Sequence, residues 1–264
     1  MRERVAAWVR MLRRVNSPGA QAAISGASQE LPGDEAATGL PPEGLRFRVG
    51  GSLDPERFRD VGRRSVRAIE GGLALLDRRV DECERVLDFG SGCGRTLIGF
   101  SERYPLDRFS ATDIDAEAVG WCCEHLSLAS CGVNEALPPL HYPDDYFDLI
   151  YAVSVFTHLD EDRQFRWLAE LRRVCKPGGA IILSLHGDRC AQQMVPDRAE
   201  QVREAGFLFD ATSDFGDLYP DWYRMTFHTE EYVRARFAEY FAVIGYLPRA
   251  IDYQDIVVLQ KATG

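Results

Sequence analysis

Three glycines alternate with other residues in Val86-Leu-Asp-Phe-Gly-Ser-Gly-Cys-Gly-Arg95, at positions 90, 92 and 94. A loop so poor in side chains lets the backbone approach a ligand closely between a strand and a helix. The spacing is G-x-G-x-G, whereas a dinucleotide fingerprint is G-x-G-x-x-G. A carboxylate, Asp88, stands two residues upstream. It would disfavour a pyrophosphate at the loop and would tolerate a ligand carrying an ammonium and a sulfonium. A second carboxylate, Asp113, follows 25 residues later at the end of the strand-like stretch 108–112. An acid there can accept both hydroxyls of a ribose.

Side chains able to move a proton are few. His158 follows the apolar run 147–153, His186 ends the run 180–185, and His228 closes Tyr223-Arg-Met-Thr-Phe-His228. Each imidazole can act as a general base, and each can equally brace a helix or fill the interior. Tyr223 and Tyr253 are alternative polar groups on this side. Phe207, Phe209, Phe215, Tyr219, Trp222, Tyr223, Phe227 and Tyr232 crowd into residues 207–232. They can wall an apolar acceptor site, with Trp222 and Tyr223 foremost, or form the core of a cap or a dimer contact. On a helix Cys122 and His125 share a face, but zinc normally needs four ligands from paired clusters. The seven cysteines include no C-x-x-C pair, so the expectation is reduced, buried thiols and no metal.

These groups need elements to hold them. Short apolar runs at 85–89, 108–112, 147–153 and 180–185 read as strands, separated by helical stretches at 95–103, 116–130 and 160–175. The last helix is the best marked. Asp160 can cap it, Glu161 and Asp162 suit its positive end, and Arg172, Arg173 and Lys176 suit its negative end. Pro177-Gly178-Gly179 predicts a turn before the next strand. Runs at 240–246 and 255–260 read as two further strands, close enough to pair antiparallel. Strands alternating with helices predict a mostly parallel sheet covered on both faces. Upstream, 55–76 has helical periodicity and 46–51 (RFRVGG) reads as a short extended piece. Residues 17–45, rich in Ser, Pro, Gly and Ala, read as a flexible linker.

The 264 residues, with 45% hydrophobic and 27% charged, are ordinary globular values with room for a large core. The net charge of −10 argues against nucleic acid held through its phosphates. No apolar run reaches bilayer length and no signal peptide opens the chain, so the expected setting is cytoplasmic, with no membrane span. Residues 1–18 depart from the average with five arginines against Glu3. Val5, Trp8, Val9, Leu12 and Val15 recur there at helical spacing. That basic amphipathic helix can lie on a membrane surface; packing on its own domain or on a second subunit, as in a homo-oligomer, is the favoured reading.

A close backbone, an acid for a ribose and an acid near positive charge are together the demands of S-adenosylmethionine. Residues 84–186 resemble the core of class I S-adenosylmethionine-dependent methyltransferases. VLDFGSGCGR resembles that family's first motif, ATDID (111–115) its second, PDDYFDLIYAVSVFTHL (143–159) its fourth-strand motif, and LRRVCKPGGAIILSLHG (171–187) its turn and fifth strand. Four motifs in the right order make a specific match.

The resemblance implies an α/β fold, a Rossmann-like seven-stranded mostly parallel sheet with an antiparallel C-terminal hairpin. An N-terminal helical extension or lid over 1–80 would precede a methyltransferase domain over 81–264, with an aromatic-rich insertion at 190–235. It implies that Asp88, Gly90, Ser91, Gly92 and Gly94 cradle the methionine part of the cofactor. Asp113 would hold the ribose with Ile114 against the adenine, Asn134 would meet the adenine edge, and Val153 and Ser154 would border the cofactor. Phe47 and Arg48 would belong to the lid. An Asn-Pro-Pro-aromatic signature is absent, since the chain reads Val153-Ser-Val-Phe156. This turns the reading away from bases and glutamine amides and toward O- or N-methylation of a small organic acceptor in natural-product or glycan biosynthesis. A protein or peptide acceptor, or a non-catalytic S-adenosylmethionine-binding protein, are the alternatives.

Overall fold

The computed structural model describes residues 39–213, 220 and 222–263. The basic helix expected at 1–18, most of the linker at 17–45, and Phe215 and Tyr219 lie outside the described residues. Strands β1 (Val86–Phe89), β2 (Phe109–Asp113), β3 (Ser130–Val133), β4 (Phe147–Ala152), β5 (Cys175–Leu185), β8 (Ala242–Ile251) and β9 (Gln254–Gln260) form one sheet in the order β3-β2-β1-β4-β5-β9-β8. The first five are parallel, and β9 runs antiparallel between β5 and β8. β6 (Phe207–Asp210) and β7 (Met225–His228) make a separate antiparallel pair inside the 190–235 segment.

The central strands are apolar along their length because helices cover both faces. Leu87, Ile150, Ile181 and Leu183 face one side with Trp167, Leu168 and Leu171 of the helix Glu161–Val174. Val86, Leu149, Tyr151 and Ile182 face the other, with Ile69 and Leu73 of helix α2 (Pro55–Ala74) and Leu97 and Phe100 of helix α3 (Arg95–Ser101). α2 starts where Asp54 accepts from the Glu56 N–H at 3.0 Å and Pro55 fills the first position. It crosses α3 at glycine: a Cβ on Gly62 would stand 2.4 Å from the Arg95 carbonyl oxygen. The helix Glu161–Val174 begins as the charges predict, with Asp160 accepting from the Arg163 N–H at 2.8 Å.

Four expectations are corrected. RFRVGG is not extended: it lies in helix α1 (Glu43–Gly50), which buries Leu45 and Phe47 and ends where Gly51, at φ 60°, donates to the Phe47 carbonyl at 2.7 Å. The helix expected to reach 130 stops at His125, and Ser130–Val133 is an edge strand. Pro177-Gly-Gly makes no turn. β5 runs through it with an irregular register against β4, and Gly178 N–H pairs with the Lys261 carbonyl at 2.9 Å. The cysteines are not all reduced. Cys123 and Cys131 are joined, their Cα atoms 5.8 Å apart, because the helix end and the edge strand bring two incompletely buried cysteines side by side. The five free cysteines are all buried. Cys122 packs at the Gly92 carbonyl, and His125 stacks on Trp121 at 4.6 Å. Among the described residues no helix is long and apolar enough to cross a membrane.

Candidate active site

The glycine loop joins β1 to α3 and takes the backbone that only glycine adopts without strain. Gly90, Gly92 and Gly94 have φ of 75°, 52° and 80°. The loop is tied to the end of β2. Gly90 and Ser91 donate to the Thr112 carbonyl at 2.8 and 3.0 Å, and Gly92 N–H donates to Asp113 Oδ2 at 2.7 Å. The other oxygen of Asp113 accepts from Asp115 N–H at 2.9 Å. Burial raises the Asp113 pKa, and these backbone donors pull the other way. Asp113 is half-buried and Ile114 beside it is exposed.

Asn134 is buried in the turn after β3, held by its N–H on the Asp113 carbonyl at 3.0 Å. Its Nδ2 donates to the Glu135 carbonyl at 2.8 Å, and its Oδ1 is buried with no partner among the described residues. Asp88 is 2% exposed and lies under the loop, where Tyr151 Oη donates to it at 3.0 Å. Burial pushes its pKa up to about 8; the Tyr151 hydrogen bond opposes this and the charge of Asp113 adds to it. Ser91 is buried and bonds back to the Gly92 carbonyl.

α1 rests on this loop. A Cβ on Gly92 would stand 2.5 Å from Val49 Cγ2, and one on Gly90 would stand 2.2 Å from Val155 Cγ2. Arg48 fastens α1 to the next helix, reaching Asp115 at 3.0 Å and Glu117 at 2.6 Å. Phe47 and Arg48 line a cleft of about 970 Å³ that runs from α1 and the start of α2 to the β8–β9 turn. Ser154, at the end of β4, opens onto it. Its φ of 64° is unusual for a side-chain-bearing residue. Ser184 Oγ accepts its N–H at 2.7 Å, and Gln254 Nε2 donates to its Oγ at 2.9 Å. Val153, one residue earlier, packs into the sheet's α2 face and does not line the cleft.

Of the three histidines only His158 lines the cleft. It stacks on Tyr223, ring centres 4.1 Å apart and planes 14° apart, and Tyr223 lines the cleft beside it. β7 fixes the His158 backbone: Arg224 N–H donates to the His158 carbonyl at 3.2 Å and Thr226 N–H to that of Thr157 at 2.9 Å. Burial holds the His158 pKa well below 6.5, and nearby His186 acts the same way.

The other two histidines are corrections. His186 and His228 sit in the interior, 1% and 0% exposed. His186 Nδ1 pairs with the Thr226 carbonyl at 3.2 Å, and His228 Nε2 pairs with Gln164 Oε1 at 3.0 Å among Phe207, Tyr232 and Phe237. Burial takes both pKa values down to about 3. Trp222 is also off the cleft; Arg163 lies over its ring at 4.9 Å.

Sequence reasoning missed Val49, Arg95 and Gln254, which face one cleft with the expected Tyr253. Arg95 directly follows the glycine loop, which was a usable signal. Gln254 meets Ser154 across 100 residues, which no local pattern reveals.

Residues 86–179 match a family profile described as a methyltransferase domain. Phosphoethanolamine N-methyltransferase 1 of Arabidopsis thaliana is 23% identical over 190 residues, covering 68% of this chain and 36% of that protein. The ubiquinone/menaquinone biosynthesis C-methyltransferase of Bordetella avium is 33% identical over 123 residues, covering 42% of this chain and 44% of the relative. The chain thus spans about a third to a half of the length of these relatives. A SAM-dependent methyltransferase of Methanosarcina mazei superposes over 68% of this chain and 93% of its own, at 20% identity and a TM-score of 0.49. Motifs, glycine loop and matched profile coincide on one stretch, and residues 86–179 match a methyltransferase domain.

Proposed function

We propose that the chain as a whole transfers a methyl group from S-adenosylmethionine to an oxygen or nitrogen of a small organic acceptor held in the cleft. The observation that carries this reading is a left-handed glycine loop tied to Asp113, followed directly by Arg95 on the wall of a cleft of about 970 Å³ that Ser154, His158 and Tyr223 also line. The relatives' names, phosphoethanolamine and a ubiquinone or menaquinone precursor pathway, speak for small acceptors.

The residues fit the cofactor on one telling atom. The unpartnered, buried Oδ1 of Asn134 is an acceptor waiting for a donor, and the exocyclic amine of adenine is one. Asp113 retains lone pairs for a ribose diol after its two backbone bonds. Gly90, Ser91, Gly92 and Gly94 would cradle the methionine part, with Asp88 beneath them and exposed Ile114 against the adenine. When bound, S-adenosylmethionine supplies a methyl group already activated on a sulfonium.

The protein's own task is then mainly alignment in a site closed to water. Positioning can lower such a barrier by roughly 7–11 kcal/mol. Val49 covers the loop at Gly92, Arg48 ties its helix to Asp115 and Glu117, and Gln254 with Ser184 fixes Ser154 in the cleft wall. Burial keeps the His158 imidazole in the neutral form that a general base needs while lowering its basicity, and it lines the cleft where an acceptor that must lose a proton would lie. Tyr223 holds that imidazole flat by stacking.

The test is transfer of labelled methyl from S-adenosylmethionine to a cell extract separated by size. Label in the small-molecule fraction supports the reading. Label confined to protein or RNA, or no label at all, overturns it.

A further inference from the structure

The cleft is basic in an acidic chain. Arg48, Arg57, Arg63, Arg64, Arg95 and Arg249 line it against Asp54, Glu56, Asp60 and Asp252, a surplus of two positive charges where the whole chain carries −10. Several of these arginines are engaged: Arg48 by Asp115 and Glu117, Arg63 by Glu102, Arg64 by Asp60 and Asp252. Arg95 differs. It opens α3 directly after the glycine loop. Its Nη1 donates to the Val49 carbonyl at 3.3 Å, while its Nε is buried with no acceptor among the described residues. No carboxylate of those residues forms an ion pair with it; of the two acids whose charges act on it, Asp252 is held by Arg64 and Asp88 by the Tyr151 hydroxyl. Burial lowers its pKa, the direction expected when a cation leaves water without a counter-charge. A guanidinium that is half-buried on a cleft wall, with its Nε out of water and no carboxylate on it, is suited to receive an anion.

We infer that the methyl acceptor carries a carboxylate or phosphate that seats on Arg95, with its methyl-accepting atom toward Ser154 and His158. The inference rests on the methyl-transfer reading and deepens it by naming the acceptor's chemical class. The planar guanidinium can meet two oxygens at once, which orients an acceptor as well as attracting it. A surplus of positive charge along a cleft also raises the local concentration of anions. The cofactor brings a further positive charge, which a negative acceptor offsets.

The cofactor's own amino-acid carboxylate has the same chemistry, and the experiment separates the two sources. Inorganic phosphate is titrated against the protein and its Arg95→Gln and Arg95→Lys variants by phosphorus NMR line broadening, with and without S-adenosylhomocysteine. Calorimetry on the same proteins measures S-adenosylhomocysteine and 5′-methylthioadenosine, which lacks the carboxylate. The expected result is phosphate binding that weakens roughly 10- to 150-fold in Arg95→Gln and is partly kept in Arg95→Lys, with S-adenosylhomocysteine affinity unchanged.

Phosphate that does not bind the parent protein, or binds Arg95→Gln equally, overturns the inference. Weakened S-adenosylhomocysteine with unchanged methylthioadenosine also overturns it, by assigning Arg95 to the cofactor. Failure of both nucleosides to bind the parent protein refutes the methyl-transfer reading instead, while the cofactor-free phosphate titration still reports on the anion seat.

Discussion

Asp88 should make the folded chain lose stability as pH rises, and Asp88→Asn should remove that loss. The carboxyl is 2% exposed, and burial pushes its pKa up to about 8 against a reference of 3.8. The folded chain therefore keeps this proton at neutral pH while the unfolded chain has released it. A raised folded pKa means that the stability contribution is whole below the unfolded value and is lost as pH climbs to the folded one. Each pH unit in that window costs about 1.4 kcal/mol, so the loss from pH 6 to pH 9 is about 3 kcal/mol, levelling off above 8. Asparagine has the same shape, can accept from Tyr151 Oη, and carries no charge. Urea denaturation of both proteins from pH 6 to pH 9, followed by tryptophan fluorescence, isolates this group because the other titrations cancel in the difference. With a slope near 3 kcal/mol per molar urea, the Asp88→Asn midpoint should gain about 1 M on the parent across that range. A difference that does not change with pH would refute the protonated Asp88.

Two further substitutions separate the cleft from its surroundings. Tyr223→Ala removes the ring stacked on His158 and should cut kcat/KM by about tenfold or more, with the S-adenosylmethionine Kd unchanged. Trp222→Ala removes a ring that faces Arg163, so turnover in a coupled methyltransferase assay should persist while thermal stability falls by about 1–3 kcal/mol. His158 is neutral far below its ordinary pKa, so the rate should show no acid inflection near pH 6.5. An inflection there would mean a solvated imidazole. For an acceptor that must lose a proton, His158→Ala should slow turnover by about 10²–10⁴-fold in rate measurements.

Much of the fold was legible because burial on both faces writes itself into composition. Val86-Leu87, Leu149-Ile150 and Ile181-Ile182 are apolar in succession since neither face of those strands meets water. β3 left no such trace: it is an edge strand of Ser130, Cys131, Gly132 and Val133 with partly or fully exposed residues. α1 was missed for a similar reason. Its few apolar residues lack a clean helical period, and its end is set by Gly51 in a left-handed cap.

The glycine loop was legible because a backbone requirement selects the residue type, as at Gly90, Gly92 and Gly94. The lining of the cleft was not. His186 and His228 occupy strand ends like rim residues, yet long-range partners, Thr226 and Gln164, draw them into the interior. Likewise, nothing local marks Gln254 as the partner of Ser154, or Arg95 as a cation without a carboxylate.

The most direct test is calorimetry with S-adenosylmethionine on the parent chain and on Asp113→Ala. The proposed function predicts saturable binding to the parent, weakened roughly 10- to 100-fold by the substitution, since Asp113 anchors Gly92 and is the proposed ribose acceptor. No binding of S-adenosylmethionine, with a nicotinamide dinucleotide bound in its stead, would contradict it.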